Sequence, residues 1–370
     1  MKVLKVALTG GPCGGKTTSI QKIEKEFTEK GYNVIVVPEA ATILINSGIK
    51  PFGVNAVPPL FFQRYVLSLQ NTLEQAAINA ASKQNGNTII LCDRGMIDSK
   101  AYIDKKTYDM LLDELDKTEL EVMYDYDLVV HLKTAADGKE EFYTLENNTA
   151  RSESPEEARY KDQRTLNAWL GHENLKIIGN DTNFNEKMNR VLREIYKKLK
   201  KPYPIQVQYR YLIDYVDFEK MNNIENVKLD IEQYVIRKSG ADMIYRKTEK
   251  SGDIRYSMKI KSDTEINSER IIFIERNVCK DEYIANLPKN EIPMKKTRYC
   301  FSYKDEYYRL DVFEDGLMML ELEITDKSKE TIIPDFIKVK EDVTEDVNYR
   351  NSSIYFNNNL KSKVYSYGKI

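Results

Sequence analysis

Through the first 200 residues, short apolar runs alternate with longer stretches of helical spacing. The runs are VLKVALTG at 3–10, YNVIVVPE at 32–39, NTIILCDRG at 87–95, YDLVVHLK at 126–133 and LKIIGN at 175–180. They are apolar at nearly every position rather than at every second one, which describes strands buried on both faces. Apolar residues at helical period fill 16–30 and 59–83, and a closing helix is predicted over 186–201. Strand and helix in this alternation build a parallel sheet covered on both sides, an α/β domain. Between the fourth and fifth runs, 133–170 is polar and bears arginines, the composition of a lid over the carboxyl ends of the strands.

The segment Lys201-Pro-Tyr-Pro204 stops the closing helix, and the pattern then changes. From 205 onward the chain reads as alternating strands: IQVQYRYLI, KLDIEQYVI, DMIYRKT, IRYSMKIK, RIIFIER, RYCFSYK, YYRLDVFE and LMMLELEIT. Turn residues such as Lys250-Ser-Gly-Asp253 and Phe313-Glu-Asp-Gly316 separate several of them, and a short helix is expected near 281–287. Strands at this spacing predict an antiparallel β-barrel or tunnel. The expected organisation is a first domain over 1–200, a second over 204–355 and a C-terminal tail over 356–370.

Composition adds limits rather than detail. The 370 residues suffice for two domains of ordinary size, and 41% hydrophobic content lets each bury a core. The formal net charge of −2 gives no global attraction to nucleic acid, so any anion site must be built locally. Cys13, Cys92, Cys279 and Cys300 show neither clustering nor CxxC spacing, which argues against a zinc site or a disulfide framework. Met1 leads straight into the first strand with no leader pattern, and no apolar run approaches the roughly 20 residues that span a bilayer. The expected location is the cytoplasm, with peripheral contact at a membrane left open.

The strongest motif is Gly10, Gly11, Pro12, Cys13, Gly14, Gly15, Lys16 and Thr17, followed by Thr18. It fits GxxxxGK[ST] between a strand and a helix, the context that a phosphate-binding loop requires. Glycines let backbone N–H groups turn inward around phosphate oxygens. Lys16 is expected on the β- and γ-phosphates of GTP or ATP, and the Thr17 hydroxyl on Mg²⁺. Glu39 ends the second strand and Asp93 the third, so both should open beside the loop. Asp93 is the expected partner of Mg²⁺, and Glu39 is suited to orient or deprotonate an acceptor hydroxyl. Arg151, Arg159 and Arg164 in the lid suit the spreading charge of a transferred phosphoryl group; their bland alternative is ion pairing with Glu153, Glu156 and Glu157. Gln63, Arg64 and Gln70 lie on the 59–83 helix, where they either meet the acceptor or face solvent. His131 and His172 are read as structural, and Tyr160 and Trp169 as packing residues of the lid.

The runs VALTGGPCGGKTT, VVPEAA, FFQRYVLSLQ, LCDRGMIDSKAY and ARYKDQRTLNAWLGHENLKIIGN together resemble the kinase-like AAA_28 P-loop domain. That domain is similar to the kinase half of bifunctional nicotinamide riboside kinases. The resemblance covers about residues 1–200 and implies nucleotide binding.

In the second half, charges recur at strand period. Gln206, Gln208 and Arg210 share one face of a strand; so do Lys259 and Lys261, Arg309 and Asp311, and Glu321 and Glu323. Arg246 and Arg298 sit in strand patterns as well. Such faces are either solvated or line a tunnel that holds phosphates, with a carboxylate pair able to hold Mg²⁺. YRLDVFEDGLMMLELEI and VKEDVTEDVNYRN look like the end of a CYTH domain, the triphosphate-tunnel fold, and DMIYRKT and YSMKIK are similar to its basic strands. Hydrolytic members of that family open on an ExExK strand; the matching residues here are Gln206, Gln208 and Arg210, so the resemblance implies polyanion binding more than triphosphate hydrolysis. A P-loop domain followed by a CYTH domain resembles the TRPL translocation-defect family. That resemblance implies GTP binding and association with an anionic phospholipid, in membrane trafficking. The competing readings are a kinase for a nucleoside-like acceptor and a tunnel-fold triphosphatase or pyrophosphatase.

Overall fold

The computed structural model describes residues 3–138, 154–199, 207–238, 241–266, 269–289, 291–324 and 331–367. The chain divides into two compact units, Met1–Pro204 and Ile205–Ile370. No helix among the described residues is long and apolar enough to cross a membrane.

In the first unit, strands β1 (Val3–Thr9), β2 (Asn33–Val37), β3 (Thr88–Asp93), β4 (Leu128–Leu132) and β5 (Leu175–Ile178) form one five-stranded sheet in the order β2-β3-β1-β4-β5. Every described pairing in it is parallel. The five apolar runs are therefore the five strands. The chain builds β2 and β3 on one side of β1, then crosses to β4 and β5 on the other. That reversal opens a crevice at the carboxyl ends of β1 and its neighbours. Register puts Leu8 beside Asp93 and Thr9 beside His131 at that edge.

Helix α1 (Lys16–Glu29) buries Ile20, Ile23 and Phe27, a helical stripe, against Leu4, Val6 and Leu8. Helix α7 (Phe184–Lys198) adds Met188, Val191 and Ile195 to the same core. On the other flank lie α2 (Ala40–Asn46), α3 (Pro59–Lys83), α4 (Lys105–Asp113) and α5 (Glu119–Tyr124). Within the stretch expected as a lid, α6 (Pro155–Ala168) starts at a capping box. Ser154 Oγ accepts the Glu157 N–H, and Glu157 Oε2 accepts that of Ser154. Trp169 is fully buried, as a packing residue should be; Tyr160 is 64% exposed and is not one.

The second unit is a nine-stranded sheet: β6 (Val207–Val216), β7 (Asn226–Lys238), β8 (Ala241–Lys250), β9 (Asp253–Ile266), β10 (Glu269–Asn277), β11 (Met294–Tyr303), β12 (Glu306–Phe313), β13 (Met318–Ile324) and β14 (Ile337–Asp342). The expected barrel is not closed. The order is β10-β9-β8-β7-β11-β12-β13-β6-β14, and among the described residues β10 pairs with β9 alone and β14 with β6 alone. The ninth strand, β14, was not in the strand pattern, because its second half is charged and exposed. Short helices α8 (Phe218–Met221) and α9 (Lys280–Ala285) interrupt the strands.

One face of this sheet packs Phe301, Tyr308, Leu310, Leu320 and Leu322 with Phe336. The other carries the charged side chains, with Val235, Ile244, Met294, Phe313 and Met319 on the same strand parity. Helix α10 (Asn351–Tyr367) covers those apolar positions with Ile354 and Tyr355. Residues expected as a tail from 356 onward thus continue a docked helix.

Candidate functional site

The P-loop runs from the end of β1 to the first turn of α1. Gly10 is obligatory: its φ is +130°, and a Cβ there would lie 2.1 Å from Leu132 O. Gly11 lies against α6, where a Cβ would come within 2.8 Å of the Asp162 side chain. Cys13 holds a left-handed conformation at φ +54° at the loop's apex. Lys16 Nζ donates to Gly10 O at 2.9 Å and Gly11 O at 2.8 Å, folding back over the loop. Burial and then the nearby Arg94 lower its pKa to about 8, against the opposing pull of Asp93, Glu39 and Asp98.

The ends of β2 and β3 meet this loop. Asp93 Oδ1 is buried with no hydrogen-bond partner among the described residues, and burial raises the pKa of the carboxyl group. Glu39 accepts from Arg94 Nε at 2.6 Å and from Thr42 Oγ1 at 2.6 Å. Burial works to raise its pKa, but the Arg94 guanidinium, the Thr42 hydroxyl and Lys16 outweigh it and bring the value to about 2. A carboxylate held so low is a weak proton acceptor at neutral pH, which suits Glu39 to orienting a hydroxyl rather than deprotonating it. Arg94 itself has φ +69° and donates its backbone N–H to Leu8 O, locking the end of β3 beside the loop.

Two carboxylates that the sequence reading passed over hold the site together. Asp98 takes the Thr9 hydroxyl, the Gly95 N–H at 2.8 Å and Trp169 Nε1 at 3.2 Å. Asp162, 3% exposed on α6, accepts the Gly11 N–H at 2.6 Å and lies 3.3 Å from His131 Nε2. Both histidines pack inside the unit: His131 against Asp162, and His172 with Nε2 2.9 Å from Tyr126 O.

Around these groups lies a cleft of about 1610 Å³, lined by residues 12–18 of the loop, Glu39, Asp93, Arg94, Asp98 and residues of α2, α3, α6 and α7. A single small ligand takes about 300–1,000 Å³, so this cleft has room for a nucleotide and a second reactant. Of the expected lid arginines, Arg151 lies outside the described residues. Arg159 donates to Ala136 O at 2.6 Å and to Glu156 at 3.0 Å, and Arg164 sits 5.9 Å from the Tyr160 ring centre. Neither lines the cleft, whereas Glu157 and Lys161 do. Gln63 lines it with Oε1 buried and unpartnered among the described residues. Gln70 donates to Glu74 and Arg94 O, and Arg64 forms a two-pronged pair with Glu114.

In the second unit the charged face gathers the expected cations unequally. Arg298 is committed: it grips Asp311 at 2.7 and 2.8 Å, and Lys296, which the sequence reading omitted, joins the same carboxylate at 2.5 Å. Glu321 is ringed by Arg298 at 3.5 Å, Arg309 at 3.6 Å and Arg210 at 3.9 Å. Lys259 pairs with Glu275 at 2.9 Å, and Arg246 donates to Gln233. Lys261 makes no hydrogen bond or ion pair to a described residue, and burial, followed by Lys259 and Arg246, lowers its pKa to about 8. Glu321 opposes that shift from β13, five strand positions from β9. A flat sheet would separate those strands by about 24 Å. The sheet therefore curls into a trough that brings Lys261 and Glu321 within electrostatic reach of each other. Gln206 lies outside the described residues, as do the side chains of Gln208 and Glu323.

A P-loop at a topological switch point, with an acidic strand end beside its lysine, defines a nucleotide-binding domain of the kinase-like P-loop class. The chain belongs to the AAA_28 family, an AAA domain, which it matches over residues 5–203. Among curated proteins none matches it. Among solved structures it is similar to an inorganic triphosphatase, at 21% identity over 41% of this chain and 95% of that one, with a TM-score of 0.31. It is also similar to the thymidylate kinase of Ehrlichia chaffeensis, at 18% identity over 54% of this chain and 100% of that one, with a TM-score of 0.37.

The low pKa of Lys16 gives nucleotide binding a pH signature. Phosphate favours the ammonium form, so affinity should hold steady below about pH 8 and fall as pH rises through that value. The fall should approach about tenfold per unit, with proton uptake visible as a buffer-dependent heat in calorimetry. Lys16→Arg should flatten the profile, since arginine stays charged throughout; an equally steep fall in that variant would assign the titration elsewhere.

Proposed function

We propose that the first unit binds Mg²⁺-complexed GTP or ATP for phosphoryl transfer or hydrolysis, and that the second grips a polyanion. The observation that carries the first part is Asp93 Oδ1, buried and without a partner among the described residues, in the cleft that Lys16 and Thr17 also line. A carboxylate oxygen left without a donor in a buried place fits a cation partner. Thr17 and Asp93 would hold Mg²⁺, which would supply charge neutralisation for the phosphates. The chain's own parts do the rest: loop amides cradle the phosphates, Lys16 turns from Gly10 O and Gly11 O toward them, and Glu39 orients an incoming hydroxyl. Calorimetric titration with GTP and ATP, with and without Mg²⁺, tests this reading and separates the two bases; no binding of either would reject it.

The second part rests on Lys261, a cation with no hydrogen bond or ion pair to a described residue, in a trough that also holds Arg246 and Lys259, with Arg210 and Arg309 at Glu321. Clustered guanidinium and ammonium groups suit a phosphomonoester or polyphosphate, whether on an anionic phospholipid headgroup or free in solution. We read the second unit as part of a regulatory protein of the membrane-trafficking type rather than as a triphosphatase. Glu321 is occupied by three arginines and is poorly placed to serve a metal. Lys259→Glu with Lys261→Glu should cut binding to triphosphate, or to vesicles containing phosphatidic acid, about 100-fold while nucleotide binding persists. Titration with each ligand separately tells the two sources apart, and undiminished binding of both would remove the trough from the function.

A second reading of the cleft is favoured by Gln63. Its buried carbonyl oxygen lines the cleft with the aromatic rings of Phe52, Phe62 and Tyr102, a lining suited to a flat, uncharged, hydrogen-bonding acceptor of nucleoside type. Transfer of labelled γ-phosphate to a panel of nucleosides tests it, and no labelled product from any of them would discard it.

A further inference from the structure

The turn that follows β3 carries Arg94 at φ +69°, a left-handed conformation that a residue with a Cβ holds only where its surroundings fix it. Here the fixing is done from several sides. Arg94 donates its N–H to Leu8 O at 3.0 Å. The Gln70 side chain donates to Arg94 O at 3.2 Å, and the Tyr126 hydroxyl accepts the Met96 N–H at 2.9 Å. Gly95 lies between those two contacts with no room for a side chain. A Cβ there would come within 2.8 Å of the Tyr126 hydroxyl and 2.9 Å of Trp169 Cζ2.

Gln70 and Tyr126 take their orientation from one carboxylate. Glu74 is 2% exposed and lies four residues past Gln70 on α3. It accepts from Gln70 Nε2 at 2.7 Å, and from the Tyr126 hydroxyl at 2.7 and 2.9 Å on its two oxygens. A carboxylate only accepts, so it decides which end of the Gln70 amide faces it. That end is the NH2 group, whose second hydrogen is left for Arg94 O. The Tyr126 O–H is committed to Glu74 in the same way, which leaves its oxygen lone pairs for the Met96 N–H. Burial and then the Glu74 charge raise the Tyr126 pKa, so the hydroxyl keeps the proton it donates. Lys5 on β1 supplies the opposite charge, with Nζ 2.7 Å from Glu74 Oε2. Burial opposes the Lys5 ammonium, but Glu74 and then Asp125 outweigh it and raise its pKa. Lys5, Glu74 and Tyr126 are not among the residues that line the cleft; Gln70 and the turn it holds are.

We propose that Glu74 is a positioning residue of the nucleotide site. Through Gln70 and Tyr126 it clamps the turn 94–96, and so sets where Asp93 ends its strand and where Arg94 meets Glu39. The inference rests on the reading of the cleft as a nucleotide site for what the turn does. The phosphate loop has supports of its own, the Asp162 carboxylate on the Gly11 N–H among them. Nucleotide affinity and reacting geometry should therefore part when the clamp is lost.

Trp169 is the chain's one tryptophan, so its fluorescence is unmixed. Its ring meets Tyr126 edge-on at 5.2 Å, and its Nε1 donates to Asp98, which also takes the Gly95 N–H. It therefore reports on this turn. In Glu74→Gln one carboxylate oxygen is replaced by a donor. The Lys5 ammonium claims the oxygen that remains, and the new NH2 group faces that of Gln70, which is driven off Arg94 O. In the full chain, acrylamide quenching of Trp169, measured well below the melting temperature, should rise at least about twofold. Phosphate release should fall about tenfold, while affinity for Mg²⁺ with GTP or ATP stays within about twofold. Tyr126→Phe should act in the same direction. The double variant should fall short of the sum, because the hydroxyl works through the same carboxylate. Melting curves show whether each variant folds. Should Glu74→Gln not fold, Gln70→Met takes its place: it cuts the link to Arg94 O and leaves the Lys5–Glu74 pair. Unchanged quenching, or single effects that simply add, would make the network ordinary packing and overturn the assignment. A loss of nucleotide affinity as large as the loss of turnover would overturn it too. A wild-type protein that binds neither nucleotide rejects the cleft reading by itself, and the quenching cycle then decides the clamp.

Discussion

Replacing Lys16 with alanine is expected to lower nucleotide affinity by about 1000-fold and leave the fold standing. In the nucleotide-free protein the ammonium group donates, among the described residues, to Gly10 O and Gly11 O. Losing two such bonds at a loop costs about 1–2 kcal/mol. In the complex the same group meets β- and γ-phosphate oxygens, and each bond to a charged partner is worth about 1.5–3 kcal/mol. The binding loss is therefore the larger effect. The removal also frees a site in which the cation was itself uncomfortable: burial and the nearby Arg94 lower its pKa, so part of the stability cost is returned. Thermal unfolding reads both effects at once. A ligand at 100 times its dissociation constant adds about 2.7 kcal/mol to the wild-type protein. The variant should melt near the unliganded wild type and show no such gain. A variant that keeps the gain would mean that residues 10–17 are not the phosphate site.

The parts of the site legible in the sequence are those whose chemistry is local. A phosphate loop needs glycines at fixed spacing between a strand and a helix, and Gly10 through Thr17 carry that in eight consecutive residues. Asp93 was legible because a charge that closes an apolar strand demands a partner. Asp98 and Asp162 were not, because their partners are distant in the chain: Thr9 and Trp169 for the first, Gly11 and His131 for the second. Asp162 also sits among Glu156, Glu157, Arg159 and Lys161, where composition describes a solvated surface. The lid arginines were chosen for residue type, since a guanidinium suits phosphate. Which face of α6 meets the cleft depends on where Asp162 and Trp169 anchor it, and no spacing rule supplies that.

In the second unit, period-two patterning located the strands and the charged face, but closure is a property of edges. Whether β10 meets β14 depends on curl and register summed over nine strands, and each strand's own pattern is silent on that sum. The same holds for α10. Residues 356–370 were expected as a tail, yet Ile354 and Tyr355 carry the helix onto the apolar end of the trough.

Replacing Asp93 with asparagine is expected to cut phosphoryl transfer or hydrolysis by about 100-fold or more, with nucleotide affinity held within a few-fold. The two readouts part because they draw on different groups. Affinity comes from the loop amides and Lys16, which the substitution does not touch. Turnover depends on positive charge placed where the reacting phosphate gains negative charge, and Asp93 would help hold the Mg²⁺ that supplies it. The nucleotide-free protein should be as stable as the wild type or more so. Asp93 Oδ1 lacks a donor among the described residues, and burial, reinforced by the Glu39 charge and only partly offset by Lys16, raises the pKa of the group. An isosteric neutral amide removes that burden. The Mg²⁺ concentration needed for half-maximal turnover should rise about tenfold, as befits a lost charged partner. Steady-state phosphate release across a Mg²⁺ titration, with melting curves of both proteins, measures all of this. Wild-type turnover at an unchanged Mg²⁺ requirement would remove Asp93 from the metal's surroundings, and a large drop in melting temperature would show that its carboxylate is structural instead.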